Sequence, residues 1–443
     1  MIERRESLGR STAHEVALDC LTAGIEAADP ARLTRETVSV SGATLTVGET
    51  TSSLDGFDEI IVLGGGKAAG VIAAELEAIL GDRLTGGCVV TNTTVDTEGV
   101  EVLPGDHPVP GEASVDSTHQ LLAAAAAAGD RTLVVGVITG GGSALLTAPA
   151  DGLQLQDLQS TTQSLLDCGA TIEEINAVRK HLSAIKGGRL AATVAPAQVH
   201  CLVLSDVVGN DLETIASGPV VPDSSTYQIA QQVIDRYDCQ VPPAVQRRLE
   251  AGRAGTLEET PDAESPVFDR ISTTLLGDNM VAVQAAAEQA EAAGFEPLVL
   301  SSRIRGESRA AAATQVAIAE EIRSTGEPVS PPAAIISGGE TTVTVYGDGT
   351  GGPNQEFVVA AGLELGEPGV VVAAVDTDGI DGGTDAAGGI VDSETIPVEQ
   401  ARKALAENDA YTALERVSAL IRTGPTGTNV NDLRAVVVPE SDA

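Results

Sequence analysis

Short apolar runs along this chain alternate with stretches whose apolar residues recur every three or four positions. That pattern predicts buried strands followed by amphipathic helices. Between Ser11 and Ala28, the residues Val16, Cys20, Leu21 and Ile25 share helical spacing. Residues 58–63 read as a buried strand that runs into Gly64-Gly65-Gly66-Lys67. Val71, Ile72, Leu76, Ile79 and Leu80 then mark a helix ending near Gly81. A short strand at 88–90, an irregular stretch at 104–110 and a helix through 123–128 that stops at Gly129-Asp130 follow. The strand at 132–138 feeds Thr139-Gly140-Gly141-Gly142-Ser143 and a new helix, and the strand at 200–204 leads to Ser205-Asp206. Strand, turn and helix in this order predict parallel βαβ units.

Residues 242–266 are rich in Pro, Gly, Glu and Arg and read as a linker. Beyond them come a strand at 271–276, a helix at 282–293, a strand at 298–300 and a helix at 310–323. Strands at 333–337 and 341–346 flank Gly338-Gly339-Glu340, and an apolar strand at 370–375 leads to Asp376-Thr377-Asp378-Gly379. The expected fold class is therefore α/β with two domains, a larger one over residues 1–250 and a smaller one over 265–443, with a cleft between them.

Composition narrows this picture. The 443 residues are too many for one typical core, which supports two domains. Aromatic residues make up 2% and Trp is absent, so Val, Ile, Leu and Ala must fill the cores, as suits parallel strands under helices. Carboxylates outnumber Lys plus Arg by 64 to 26, a formal net charge of -38. A field of that sign repels nucleic acid and anionic membranes. Recurrent apolar runs such as Ile60-Ile61-Val62-Leu63 argue against disorder. The acidity instead suggests a halophilic protein in a salt-rich cytoplasm, where ions screen the self-repulsion. The five cysteines are scattered without a C-x-x-C, as expected of structural thiols in a reduced compartment. Met1-Ile2-Glu3-Arg4-Arg5-Glu6 lacks an apolar signal region and no segment approaches the length of a membrane span, so a cytoplasmic location is expected.

Candidate chemistry lies in the turns. Gly64, Gly65 and Gly66 let backbone approach a ligand closely, and a helix N-terminus just beyond Lys67 suits an anion; simple tight packing is the other reading. Walker A spacing is absent. The stretch fits G-x-G-x-x-A, which keeps a dinucleotide-dependent oxidoreductase open, but the next strand ends in Thr91-Asn92 without an acid for a ribose. Gly140, Gly141, Gly142 and Ser143 repeat the logic as a phosphate cradle. Lys occurs at only four positions, Lys67, Lys180, Lys186 and Lys403. Arg179-Lys180-His181 is an unusual basic cluster here, read either as a clamp for an anionic substrate or as a helix face paired with Glu173 and Glu174. His107, between Asp106 and Pro108, is a further candidate. Asp206, Asp211, Asp376, Asp378, Asp381 and Asp385 follow strands and supply hard oxygens suited to Mg²⁺ shared with phosphate. The run from Asp376 is no calcium loop, since Ile380 and Ala387 occupy ligand positions. Neither a G-x-S-x-G nor a zinc spacing occurs.

In combination these segments resemble the glycerate 2-kinases of the MOFRL type. The stretches are Gly64–Ala69, Gly105-Asp106-His107-Pro108-Val109-Pro110, Thr139–Leu146, Glu174–Asn176 through Lys186–Leu190, Leu204–Val207 and Ile215–Pro219. Later ones are Ser337–Val343, Asn354-Gln355-Glu356, Asp376–Gly382 and Thr423–Asp432. They cover nearly the whole chain in a single order. The resemblance implies transfer of the γ-phosphoryl group of ATP to the 2-hydroxyl of D-glycerate with Mg²⁺. It also implies a Rossmann-like N-terminal domain, a C-terminal domain whose MOFRL region spans 333–438, and a site between them. Lys67 would be the catalytic cation, Arg179 the grip on the glycerate carboxylate, and Asp206 and Asp378 the metal-linked carboxylates. Gly338, Gly339, Glu340 and Asn354 would join the glycine turns around the nucleotide. The family's Gly-Gly-Arg-Asn-Gln-Glu reads Gly351-Gly352-Pro353-Asn354-Gln355-Glu356 here, so its arginine is missing; Arg179 or Arg189 could supply the charge. The alternative activity is an NAD(P)-dependent hydroxypyruvate reductase. A homodimer is left open.

Overall fold

The computed structural model describes residues 1–366 and 368–440; the last three positions of the expected second domain, 441–443, lie outside it. The chain forms two bodies, residues 30–276 and residues 1–29 with 277–443.

The larger body opens with a small antiparallel sheet of β1 (Val38–Ser41), β2 (Thr44–Val47) and β3 (Thr50–Ser53). Its main sheet contains β4 (Glu59–Gly65), β5 (Gly86–Thr91), β6 (Glu101–Pro104), β7 (Thr132–Thr139), β8 (Gln198–Leu204) and β9 (Ile271–Gly277), in the order β6-β5-β4-β7-β8-β9. The β4 to β8 pairings are all parallel. Every residue of β7 is buried, which explains its unbroken apolar run under helices on both faces. Leu63, Val90, Leu121, Ile138, Leu145 and Val203 share one core. Each contributes about 1.5–3 kcal/mol by leaving water. From β4 the chain proceeds to β5 and β6 on one side, then returns to β7 and β8 on the other. The order reverses between β4 and β7, the place where open α/β sheets leave a crevice at the carboxyl ends of their strands.

The second body carries β10 (Glu296–Ile304), β11 (Ala333–Gly339), β12 (Val371–Asp376), β13 (Gly388–Val391), β14 (Leu420–Ile421) and β15 (Asp432–Val438). The order is β10-β11-β15-β12-β13-β14, with β10–β11 parallel and the other pairs antiparallel.

Several local expectations differ from what is observed. The helix Thr12–Ala27 belongs to the second body, because its buried Leu18, Leu21 and Ile25 pack towards the helix Asn279–Ala292 and β15. β9 lies in the first sheet, bonded through Val199 N–H to the Arg270 carbonyl at 2.9 Å, so the boundary falls after it. The supposed linker contains the helix Pro243–Arg253, whose Val245 and Leu249 share a core with Tyr227. Its proline is tolerated in the first turn, where no N–H is needed. Residues 341–346 are not a strand; Thr341 is instead held by Asp432, and Glu307 accepts from the Thr344 backbone and hydroxyl. Among the described residues no helix is long and apolar enough to cross a membrane.

Candidate active site

Lys67 sits where β4 turns into the helix Ala69–Leu80, at the reversal point of the sheet. Its backbone is pinned from two sides. Lys67 N–H donates to the Gly140 carbonyl at 2.8 Å, and its own carbonyl accepts from Thr91 Oγ1 at 3.1 Å. At the helix N-terminus read as suiting an anion, two amides are already used: Ala68 N–H donates to Thr139 Oγ1 at 3.2 Å and Ala69 N–H to the Gly66 carbonyl at 3.2 Å. The two glycine turns, one after β4 and one after β7, thus form one bonded unit.

Gly141 joins the groups around it. Its φ of 78° is a conformation that favours glycine. A methyl placed there would lie 3.0 Å from Lys67 Cγ and 3.2 Å from His107 Nε2. A methyl on Gly140 would collide with the Asp206 carboxylate. Lys67, His107, Asp206 and the Gly140-Gly141 backbone therefore converge. Burial raises the Asp206 carboxyl above its usual range, while Lys67 and the Gly141 N–H pull it back.

Beside this convergence opens a cavity of about 250 Å³. His107, Gly141, Ser143, Thr162, Arg179 and Lys186 contribute to its wall. Arg179 comes from the helix Ile172–His181, started by a capping box in which Thr171 and Glu174 satisfy each other's N–H groups. Arg179 Nε donates to Thr162 Oγ1 at 3.4 Å, and no carboxylate pairs with it among the described residues. Burial lowers its pKa. Its two neighbours are structural. Lys180 Nζ bonds Glu213 at 3.1 Å and Asp223 at 3.0 Å inside the core. Burial pushes the Asp223 carboxyl up, but Lys180 and Ser225 overcome it and hold it below its usual range. His181 is fully buried, with Nδ1 at 2.7 Å from the Ala177 carbonyl and Nε2 at 3.1 Å from Glu259. The other reading of this cluster, a helix face paired with Glu173 and Glu174, finds no such pair among the described residues; Glu174 instead bonds Arg236 and Tyr237. Arg189 heads the helix Arg189–Val194, and its buried Nε and Nη2 find no partner among the described residues.

The Ser143 hydroxyl lies 3.0 Å from that of Ser217, which donates to Asn176 Oδ1 at 3.0 Å. Lys186, which the sequence reading passed over as a site residue, is 3% exposed. Its Nζ donates to the carbonyls of Ser143 and Leu146 at 2.8 and 3.0 Å. Burial first, and Arg179 second, lower its pKa to about 7. The scarcity of lysine in this chain was the signal that could have marked it.

In the second body, Gly338 and Gly339 end β11, and Glu340 follows, accepting from Asn431 Nδ2 at 3.1 Å. Asn354 is fully buried, with its amide N–H groups given to Asp381 and to Asp432 (2.6 Å), which leaves only its Oδ1 unused. Pro353 starts the helix Pro353–Glu364, a position that suits proline. Arg309 Nε donates to Glu356 of this stretch at 2.6 Å. A second arginine that went unnoticed, Arg434, is completely buried, bonded to Asp432 and Thr341 and stacked 4.9 Å from the Phe357 ring centroid. Asp376 is raised well above its usual range, by burial and then by Asp378, Asp432 and Asp381. Burial lifts Asp381 to about 7 despite the N–H groups of Gln355 and Asn354. Asp378 belongs to this body and Asp206 to the larger one. Among the described residues no three His, Cys, Asp or Glu side chains group in a way that could hold a metal ion.

A parallel α/β body with its site at the sheet's reversal point, joined in sequence to a mixed-sheet body, is the architecture of a small-molecule enzyme. Residues 16–250 match the family described as a domain of unknown function, DUF4147, and residues 333–432 match the MOFRL family. The chain is 38% identical over 437 residues to a glycerate 2-kinase of Pyrococcus horikoshii, covering 96% of this chain and 97% of that one. It is 38% identical over 428 residues to a D-glycerate 2-kinase of Thermotoga maritima, covering 95% and 97%. A putative hydroxypyruvate reductase of Agrobacterium vitis is 41% identical over 388 residues, covering 85% and 87%. A crystal structure of a glycerate kinase from Thermotoga maritima superposes with a TM-score of 0.83 at 36% identity, covering 96% and 99%. The chain belongs to the DUF4147–MOFRL family that includes these glycerate kinases.

Proposed function

We propose that the protein transfers the γ-phosphoryl group of ATP to the 2-hydroxyl of D-glycerate, giving 2-phospho-D-glycerate and ADP. The observation that carries this reading is the position of Gly141. It lies against Lys67 on one side and forms part of the wall of the Arg179 cavity on the other. A guanidinium without a carboxylate partner among the described residues, in a small cavity whose wall is otherwise largely apolar, suits the carboxylate of a short hydroxy acid. A lysine beside that cavity, pinned by backbone hydrogen bonds, suits the charge that builds on a transferring phosphoryl group. In this reading Lys67 offsets that charge, Arg179 holds the glycerate carboxylate, and the turns at Gly64–Gly66 and Gly140–Ser143 approach the nucleotide phosphates. Gly338, Gly339, Glu340 and Asn354 are assigned to the nucleotide from the second body.

Mg²⁺ takes one or two protein oxygens and fills its other positions from phosphate and water, so a single carboxylate from either body would be enough to hold it beside a phosphate. Asp206 and Asp378 are the assigned carboxylates. Bound there, the ion would neutralise phosphate charge. The partners are thus ATP and D-glycerate, with no nucleic acid, in a salt-rich cytoplasm, and a homodimer is compatible with this reading.

Phosphorus NMR of a reaction with ATP and D-glycerate tests the proposal. A 2-phosphate product is expected, and a 3-phosphate product or no product defeats it. A folded Lys67→Ala variant with near-normal turnover would defeat the assignment of Lys67. The names of the Agrobacterium vitis relatives keep the reductase reading in view. ATP–Mg²⁺ should raise the melting temperature by mass action, whereas a reductase would respond to NADH or NADPH and oxidise it with hydroxypyruvate.

A further inference from the structure

Two cysteines that the proposed chemistry does not use lie against each other. Cys168 caps the C-terminal end of the helix Leu155–Asp167 and is exposed. Cys239 follows the helix Tyr227–Tyr237 and is buried. Their sulfur atoms are 3.2 Å apart although 71 positions separate them in sequence. A disulfide needs about 2.05 Å, so closure asks for an approach of roughly 1 Å. Gly169, next to Cys168, has open space around its Cα and a φ of 75°, so the capping turn has room to adjust. Cys20, Cys88 and Cys201 are buried, and burial pushes them up to about 12, 11 and 12; burial, and then the Cys168 thiol, likewise push Cys239 up to about 11, so what sets the pair apart is the proximity of its two sulfurs and the exposure of Cys168.

We propose that Cys168 and Cys239 form a reversible intramolecular disulfide, a modification site at the end of a helix that lines the Arg179 cavity. The proposal is independent of the phosphoryl-transfer reading. The helix capped by Cys168 supplies Leu158, Gln159, Thr161 and Thr162 to the cavity wall. Cys239 packs in the core that also holds Leu165 of that helix and Val178 of the helix bearing Arg179. The bond therefore ties the end of one wall helix to the body of the fold. The co-reactant is a small disulfide of the glutathione class, RSSR. The exposed Cys168 thiolate attacks one of its sulfurs, which forms Cys168–S–S–R and releases RS⁻. The Cys239 thiolate then attacks the Cys168 sulfur, closes the protein disulfide and expels the second RS⁻. The pair gives up two electrons and RSSR accepts them; the two thiol protons end on the two RS⁻ ions.

The test uses the full chain, equilibrated with oxidised glutathione and then denatured under acid quench. The expected product has lost two hydrogen atoms in mass, and peptide mapping joins Cys168 to Cys239. Two of the five thiols become unreactive to a thiol reagent. The melting temperature rises by about 5 °C or more, because the cross-link closes a long loop in the unfolded chain. Dithiothreitol reverses all of this. Cys168→Ser, at an exposed position, abolishes the change, and Cys239→Ala is expected to trap the glutathione adduct on Cys168. A wild-type protein that ends as a stable Cys168–glutathione adduct, or as a Cys168-linked dimer, with Cys239 still free, would overturn the proposal.

Discussion

The amine of Lys186 lies 2.8 Å from the carbonyl oxygen of Ser143 and so closes the turn that carries Gly141. With Leu146 as its second acceptor, a neutral amine can satisfy both carbonyls with its two N–H bonds, and an added proton brings charge beside Arg179. Its pKa of about 7 lies below the ordinary 10.5, so the folded state holds fewer protons than the unfolded chain between those values. Stability linked to this residue should therefore rise with pH across that window. The same titration removes a positive charge from the cavity wall as pH passes 7. The KM for glycerate should climb roughly tenfold between pH 6 and pH 8, the size of one charge interaction at a partly screened site. Steady-state kinetics on wild type and Lys186→Met would check this, with the step expected to vanish in the variant.

Arg179 and Lys180 are adjacent in sequence and should behave oppositely. Arg179 has no carboxylate partner among the described residues, so Arg179→Met should leave the melting temperature unchanged or raise it. The KM for glycerate should rise about a hundredfold, as a lost charge-assisted pair with substrate would require. Lys180→Met strands the buried Asp223 and should destabilise the fold by about 3–5 kcal/mol. Urea unfolding alongside kinetics separates the two outcomes. A destabilised Arg179→Met with normal KM would remove Arg179 from the substrate site.

That contrast shows how far the sequence reaches. The turns after β4 and β7 were legible because β7 is buried throughout and β4 from Val62 onward, which leaves apolar runs that lead into the glycine turns. The roles within Arg179-Lys180-His181 were not. Consecutive helical residues point about 100° apart, and what each meets depends on Asp223 and Glu259, 43 and 78 positions away. The helix Thr12–Ala27 was recognisable as amphipathic, but its spacing says only that one face is covered, not that distant β15 covers it. Residues 341–346 alternate like a strand. Asp432, 91 positions onward, instead accepts the Thr341 N–H.

Asp376 should act as a stability brake at high pH. Its carboxyl is buried and faces Asp378, Asp432 and Asp381, which raise its pKa in the folded state. A raised carboxyl is protonated in the fold where the unfolded chain is already ionised, so its contribution is present at low pH and lost as pH rises through the folded value. Asp376→Asn keeps an oxygen to accept the Asp378 N–H, bonded at 3.0 Å, and cannot ionise. The variant should be more stable than wild type at pH 8, and the gain should shrink towards pH 4. Paired denaturant curves at the two pH values measure the difference. An equal effect at both would assign it to packing rather than charge.

The net charge of -38 sets a further expectation for the whole chain. Exposed pairs such as Arg131 with Asp58, 57% and 65% exposed, contribute little at any salt concentration. With 64 acidic and 26 basic residues, repulsion among unpaired carboxylates outweighs these attractions. Repulsion is relieved on unfolding, when the charges move apart, so it acts against the native state. Raising salt from 0.1 to 1 M shortens the screening length from about 10 to about 3 Å. The melting temperature should therefore rise over that range in both NaCl and KCl, since screening depends on ionic strength and not on the identity of the monovalent cation. Sodium sulfate at equal ionic strength should add a further rise, because an excluded anion also strengthens apolar burial. Calorimetry across the three salts separates the two effects. A flat response in NaCl and KCl would mean that the acidic surface is already neutralised by bound ions or shifted carboxyls, and the composition would then give no reason to expect dependence on a salt-rich medium.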